Sequence, residues 1–262
     1  MIEQLQEKNV IARHVGEHGV LIVCENKLFR WLCFDDEQAI QSCMPRTEPT
    51  KLVLPYQQFM MMWQLLRDDI PNSANLLGVG GGDIIRYLRS SFPSMKITAV
   101  DSEPQIVKIA HEYFAIKPDK EHLILQIEDA QTFIKTPQHH DLLFVDITAN
   151  NVLPDFLHTP SFWQDCHASL NENGIMMVNI LSESEEAFVK LLQMLRNTFG
   201  HLPWCMSVPD HKNIVLLMPL RSEAMASLSE LQEKSATLEK GSDLPFLKCT
   251  SIIAKDNPLV KK

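Results

Sequence analysis

The stretch from Ala74 to Asp83, A-N-L-L-G-V-G-G-G-D, constrains this chain more than any other. Leu76, Leu77 and Val79 form a short apolar run that passes directly into Gly80, Gly81 and Gly82 and then a carboxylate. A continuous apolar run of this kind reads as a strand buried on both faces of a parallel sheet, and glycines at its end leave the backbone open to close approach by a ligand. Ile84, Ile85 and Leu88 follow at helical spacing, so strand, glycine loop and helix come in the order of a nucleotide-binding βα unit. A second strand, Met95 to Val100, closes on Asp101. That acid comes about 20 residues after the loop, as expected of one that holds ribose hydroxyls.

The glycines do not make the dinucleotide fingerprint. Counting from Gly78 and Gly80, Asp83 stands where the third glycine of G-x-G-x-x-G belongs. A carboxylate at a helix N-terminus opposes a pyrophosphate and favours a cationic ligand. Asp83 also has a purely structural reading as the N-cap of the helix, since Asp is a favoured cap residue.

A chain of 262 residues, 45% of them hydrophobic, is long enough for a full core, and one main domain with a small appendage is expected. The boundaries predicted are a β-hairpin appendage over 1–53, the nucleotide-binding domain over 54–240 and a C-terminal tail over 241–262, frayed at its lysine-rich end. The first residues carry acids and no apolar core of a secretory signal, and no run reaches the length of a membrane span, so the cytoplasm is the expected location and no membrane partner is expected. Six cysteines at 24, 33, 43, 166, 205 and 249 contain no C-x-x-C pair, which fits buried thiols better than disulfides or zinc. The formal charge of −9, with no basic run, disfavours a phosphate backbone and suits a small cationic substrate.

Residues 9–15, 20–25 and 28–34 cluster apolar side chains around turn signals and predict a small antiparallel sheet. His14 to His18 matches H-x-x-E-H, but Gly16, Gly19 and the flanking strands break the helix that this metal motif requires, so a hairpin turn and no metal are expected. Leu54 to Leu66 predicts an amphipathic helix, Pro104 to Phe114 another, and His122 to Ile127 a strand ending in Glu128 and Asp129. Asp141 to Asp146 is a further apolar strand ending in an acid. Asp101, Asp129 and Asp146 thus fall where parallel strands emerge, the edge at which open α/β sheets bind ligands. Phe156 to Leu170, Glu183 to Phe199 and Glu223 to Leu238 read as helices and Gly174 to Leu181 as a strand; two apolar runs around Val208 to Asn213 read as an antiparallel edge hairpin.

These residues resemble the spermidine synthases and their bacterial relatives, over most of the chain. Gly80 to Asp83 matches the G-G-G-D of that family's donor loop, with Ile84 in place of the next glycine; Ile40-Gln41-Ser42 resembles its Q-S signature, and the helix and strand around Phe162, Trp163 and Leu170 resemble those that follow its catalytic loop. The resemblance implies an α/β, Rossmann-like class I methyltransferase fold, with a mostly parallel sheet, an antiparallel edge hairpin and an N-terminal antiparallel appendage. It further implies that decarboxylated S-adenosylmethionine, or S-adenosylmethionine itself, is the donor, bound by Gln41, Gly80, Gly82, Asp83, Asp101, Asp129 and Ala130. Asp101 would take the ribose and Asp129-Ala130 lie beside adenine. Asp146 becomes the catalytic carboxylate, with Tyr56, Asp83 and Asp146 holding a small amine substrate, and a homodimer is implied.

Two departures concern the acceptor. The family's D-S-S-D-P loop reads Asp146-Ile147-Thr148-Ala149-Asn150, and its Y-H-E reads Tyr56-Gln57-Gln58, so two acids are replaced. Asp83, facing the amino-acid end of the donor, would disfavour the carboxylate of S-adenosylmethionine and favour aminopropyl transfer. Losing one hydrogen bond to a charged group, about 1.5–3 kcal/mol, would weaken diamine binding at Ala149. Methyl transfer to another small acceptor, or a non-catalytic adenosyl-binding role, remains open at this point.

Overall fold

The computed structural model describes residues 5, 8–17, 19–35, 40–136, 138–147, 154–181 and 184–258. Four strands, β1 (Asn9–Gly16), β2 (Gly19–Glu25), β3 (Phe29–Phe34) and β4 (Ile40–Pro45), form an antiparallel sheet in sequential order. Its inner residues, among them Ile22, Cys24, Trp31, Cys33 and Cys43, bury against Leu54. β1 and β2 pair up to Gly16 opposite Gly19, the position at which a hairpin turn is expected; His18 of the H-x-x-E-H match lies outside the described residues.

After α1 (Pro55–Met60) and a 3-10 turn over Met61–Leu65, strand and helix alternate: β5 (Ser73–Leu77), α2 (Asp83–Ser91), β6 (Lys96–Asp101), α3 (Pro104–Tyr113), β7 (Leu123–Ile127), α4 (Ala130–Phe133) and β8 (His140–Val145). Then come α5 (Pro160–Ala168), β9 (Leu170–Leu181), α6 (Glu185–Phe199), β10 (Trp204–Ser207), β11 (Asn213–Pro219), α7 (Leu228–Glu239) and α8 (Phe246–Asp256). The seven-stranded sheet has the order β10-β11-β9-β8-β5-β6-β7, parallel from β9 to β7 and antiparallel at β10 and β11. The strand direction of the connections reverses at β5, which pairs with both β6 and β8, and this makes a switch point beside the glycine loop.

Alternate residues of the strands serve two cores, because successive side chains point to opposite faces. Ala74, Leu76, Ile97, Ala99, Leu142, Phe144, Val215 and Leu217 pack with α2, α3, α7, α8 and the Met60 to Leu65 segment. Leu77, Val100, Leu143, Val145, Met176, Val178, Leu216 and Met218 pack with α4, α5 and α6. None of the six cysteines is in a disulfide, and all but Cys205 are buried.

Three expectations need correction. The helix over 54–66 tightens to 3-10 geometry after Met60, and Phe156 to Leu170 is divided by Thr159 and Pro160 into a 3-10 turn and α5, since Pro lacks a donor and fits only the first turn of a helix. Residues 246–256 are not tail but α8, whose Phe246, Cys249 and Ile253 are fully buried. Among the described residues, no helix is long and apolar enough to cross a membrane.

Candidate functional site

The loop between β5 and α2 is held by atoms that only a side-chain-free backbone can approach. Gly78 has φ +99°, and a Cβ there would lie 2.1 Å from the carbonyl oxygen of Asp146. Gly80, at φ +52°, and Gly81 press against Ser42 of β4, whose Oγ accepts from the Gly81 N–H at 2.6 Å. The N-terminal sheet thereby becomes one wall of a cavity of about 350 Å³. Its opposite wall is the carboxyl end of β5, β6, β7 and β8, and its lining includes Gln41, Ser42, Tyr56, Gln57, Gly80, Asp83, Asp101, Glu103, Glu128, Asp129, Ala130 and Asp146. Cavities of this size hold small organic ligands.

Asp101 ends β6. Its Oδ2 accepts from Val79 N–H at 2.9 Å and its Oδ1 from Glu103 N–H at 3.0 Å, so the carboxylate is oriented by the glycine loop on one side and by α3 on the other. Burial pushes its pKa up, backbone donors from Val79, Glu103 and Gly80 act the other way, and the neighbouring Glu103 adds to the rise. Glu103 caps α3 through Gln105 N–H at 3.0 Å and accepts from Glu17 N–H at 2.6 Å, tying the β1–β2 turn over the cavity. Asp129 caps α4 with one oxygen, accepting from Thr132 N–H at 3.1 Å, and Ala130 begins that helix at the cavity wall.

Across β5 in the strand order, Asp146 follows β8. Tyr56 donates its hydroxyl to Oδ2 at 3.2 Å and Asn179 donates Nδ2 to Oδ1 at 2.8 Å. Burial raises the Asp146 pKa, the bonds from Asn179 and Tyr56 lower it, and the Asp83 charge raises it again, with a net rise. Tyr56 is held far above its ordinary pKa by burial and by the charges of Asp146 and Asp83, so it stays a donor.

Asp83 differs from its sequence reading in two respects. Gly82, at φ +75°, is the N-cap of α2, and Asp83 is its first residue. Its carboxylate turns inward: Oδ2 accepts from Cys43 N–H at 2.9 Å and Gln57 Nε2 at 3.1 Å, and Oδ1 pairs with Arg86 Nη2. Arg86 is itself buried, donating to the carbonyls of Pro49, Gly81 and Phe114 and lying over the Phe114 ring. The negative charge expected to select the donor is therefore compensated inside the helix turn, a pairing three residues apart that local spacing permits but does not compel.

Gln41, Tyr56, Gly80, Asp83, Asp101, Asp129, Ala130 and Asp146 thus meet at one cavity, whereas Gly82 does not line it and packs against Ile116. Ala149 lies outside the described residues. Sequence reading passed over Asn179 and Glu103, named Glu128 only as a strand end and gave Gln57 no role at the site. Asn179 had a signal, a single polar residue inside the apolar run of β9. Glu103 had none beyond its place before Pro104. Among the described residues, no group of three or more His, Cys, Asp or Glu could hold a metal ion.

Known proteins resemble this chain in sequence and in fold. The polyamine aminopropyltransferase of Neisseria meningitidis is 26% identical over 220 residues, covering 84% of this chain and 83% of that protein. The eEF1A lysine and N-terminal methyltransferase of Xenopus laevis is 24% identical over 179 residues, 64% of this chain and 26% of that protein. A probable spermidine synthase from Corynebacterium glutamicum has the same fold, with a TM-score of 0.76 over 97% of this chain and 95% of that one at 17% identity. The Spermine/spermidine synthase domain matches residues 54–226, two thirds of the sequence and the whole of the glycine loop and the seven-stranded sheet, and the chain belongs to that family of transferases.

Proposed function

We propose that this protein transfers the aminopropyl group of decarboxylated S-adenosylmethionine to an amine and releases methylthioadenosine. The observation that carries the reading is the Asp146 carboxylate, oriented through both oxygens by Tyr56 and Asn179 and standing across the glycine loop from Asp101 and Asp129. A sulfonium donor supplies a carbon already activated by a neutral leaving thioether. The protein then needs to orient the two partners and take a proton. The amine nitrogen forms a bond to the methylene next to sulfur, that carbon–sulfur bond breaks with its electrons staying on sulfur, and the ammonium proton passes to Asp146 or through it to water.

An alkylamine has a pKa of about 10.4, so an aspartate does not remove its proton outright; it accepts a hydrogen bond as the proton leaves. A pKa raised by burial makes Asp146 a better acceptor than an exposed aspartate. Asp101 and Asp129 would hold the ribose and adenine side of the donor, Gln41 and Gly80 its middle, and Tyr56 would keep Asp146 in place.

One observation favours a second reading, methyl transfer from S-adenosylmethionine: Arg86 compensates Asp83, so like-charge repulsion of the methionine carboxylate is weakened. The deciding experiment incubates the purified chain with each donor and a panel of amines. Methylthioadenosine from the decarboxylated donor supports the first reading, S-adenosylhomocysteine from the intact donor the second, and neither product with donor bound would leave a binding role.

A further inference from the structure

Among the described residues, the Asp146 side of the cavity has no carboxylate left to hold a second positive charge. Two acids line it there, Asp83 and Asp146. Asp83 has both oxygens engaged, one by the Arg86 guanidinium and the other by Cys43 N–H and the Gln57 amide, and the pair is buried, with side chains 1% and 6% exposed. Arg86 is fixed in that pairing by the three carbonyls it also serves. Asp146 remains, and one carboxylate suffices for one nitrogen. Residues 147–154, which follow it in the sequence, include no acid, and Asp155 is exposed and outside the lining. Gln58, in the same short helix as Tyr56, donates to the Leu52 carbonyl at 2.8 Å.

Gln57 supplies a second, independent observation. The Asp83 carboxylate accepts from the Gln57 amide, which requires the nitrogen on that side and leaves Oε1 on the other. Gln57 is 3% exposed, lines the cavity, and its Oε1 is buried with no hydrogen-bond partner. A buried acceptor without a partner is costly unless a ligand completes it. A neutral amide oxygen is suited to a hydroxyl or amide N–H, whereas an ammonium buried there would have no countercharge.

We propose, resting on the reading that an amine is alkylated here, that the acceptor is a monoamine: a primary amine whose far end is apolar or a neutral hydrogen-bond donor. Asp146 takes the nitrogen that reacts. Gln57 Oε1 takes the neutral donor, and the Asp83–Arg86 pair sets the specificity by withholding the charge that a diamine would need.

The test is calorimetric titration of n-butylamine, 4-amino-1-butanol and putrescine into the full chain saturated with methylthioadenosine. The two monoamines are expected to bind at least tenfold more tightly than putrescine. Putrescine binding as tightly as either, or no binding of any amine, overturns the proposal. Methylthioadenosine release from the decarboxylated donor is followed in parallel; its absence with all three amines, while the binding order holds, refutes the transferase reading and leaves the specificity inference standing. Arg86→Met frees the Asp83 carboxylate and is expected to shift the ratio at least tenfold toward putrescine, and an unchanged ratio in a variant shown folded by circular dichroism overturns the role of the pair. If that variant does not fold, the order in the unmutated chain decides.

Discussion

Tyr56 donates its hydroxyl to Asp146 Oδ2 at 3.2 Å across 90 residues of sequence, joining α1 to the end of β8. The same hydroxyl lies 3.4 Å from the Gln41 carbonyl and receives Gln57 Nε2 at 3.3 Å. The Asp146 carboxylate is thus set by a residue that does not ionise in the neutral range.

Asp146→Asn should abolish turnover and spare donor binding. The amide can keep both bonds, accepting from Asn179 and donating to Tyr56, whose hydroxyl can turn to the Gln41 carbonyl. In the unmutated chain the folded-state pKa is above the unfolded one, so the folded state holds the extra proton between them. Stability from this group is fully present below the ordinary carboxylate range and is lost as pH rises through the raised value. The variant should therefore melt about 2–4 °C higher at pH 7.5, for roughly 1 kcal/mol, and this gain should vanish near pH 4. A melting difference that does not change with pH would refute the buried-charge argument.

Asp101→Ala removes an acceptor for the Val79 and Glu103 amides as well as the proposed ribose contact. Methylthioadenosine, S-adenosylhomocysteine and both sulfonium donors should all bind roughly 10- to 100-fold more weakly by isothermal titration, the loss of one or two charge-assisted hydrogen bonds. Unchanged affinity for methylthioadenosine would remove Asp101 from the donor site.

Asp83→Asn leaves the buried Arg86 without its countercharge. Breaking one side of a buried pair typically costs about 3–5 kcal/mol, which urea denaturation would show as a lower midpoint with an unchanged slope. A loss below about 1 kcal/mol would mean that the pair behaves as an exposed one.

Gly78→Ala places a methyl group where the Asp146 carbonyl already stands and requires φ +99° of a residue with a Cβ. The β5–α2 loop and the strand end at Asp146 must then separate. Loss of adenosyl-ligand binding, with a stability loss of at least about 1–3 kcal/mol, is expected from thermal-shift measurements with and without methylthioadenosine.

Ala149→Asp places a carboxylate at the position that the resemblance to the spermidine synthases assigns to the second aspartate of their loop. Putrescine turnover, read as methylthioadenosine release, should rise while the affinity for methylthioadenosine alone stays within about threefold, well under the roughly 1.4 kcal/mol of a tenfold change. Equal putrescine turnover in both chains would show that position 149 does not face the acceptor.

The sequence by itself determined the order of strands and helices, because the apolar runs of β5, β6, β8 and β9 are too continuous for a surface and each is followed by turn residues or an acid. It also determined that Asp101, Asp129 and Asp146 share one edge, since parallel strands all emerge on the same side of a sheet. Only the tertiary structure decided what those acids face. The pairing of Asp83 with Arg86 depends on the inward rotation of α2 against Phe114 and Pro49, and the partners of Asp146, Tyr56 and Asn179, come from positions 90 residues before it and 33 after it. The burial of α8 likewise depends on a surface made by β10 and α7 rather than on its own composition. Local spacing fixes which face a residue occupies; which charge it meets there is settled by distant segments that must exclude water together.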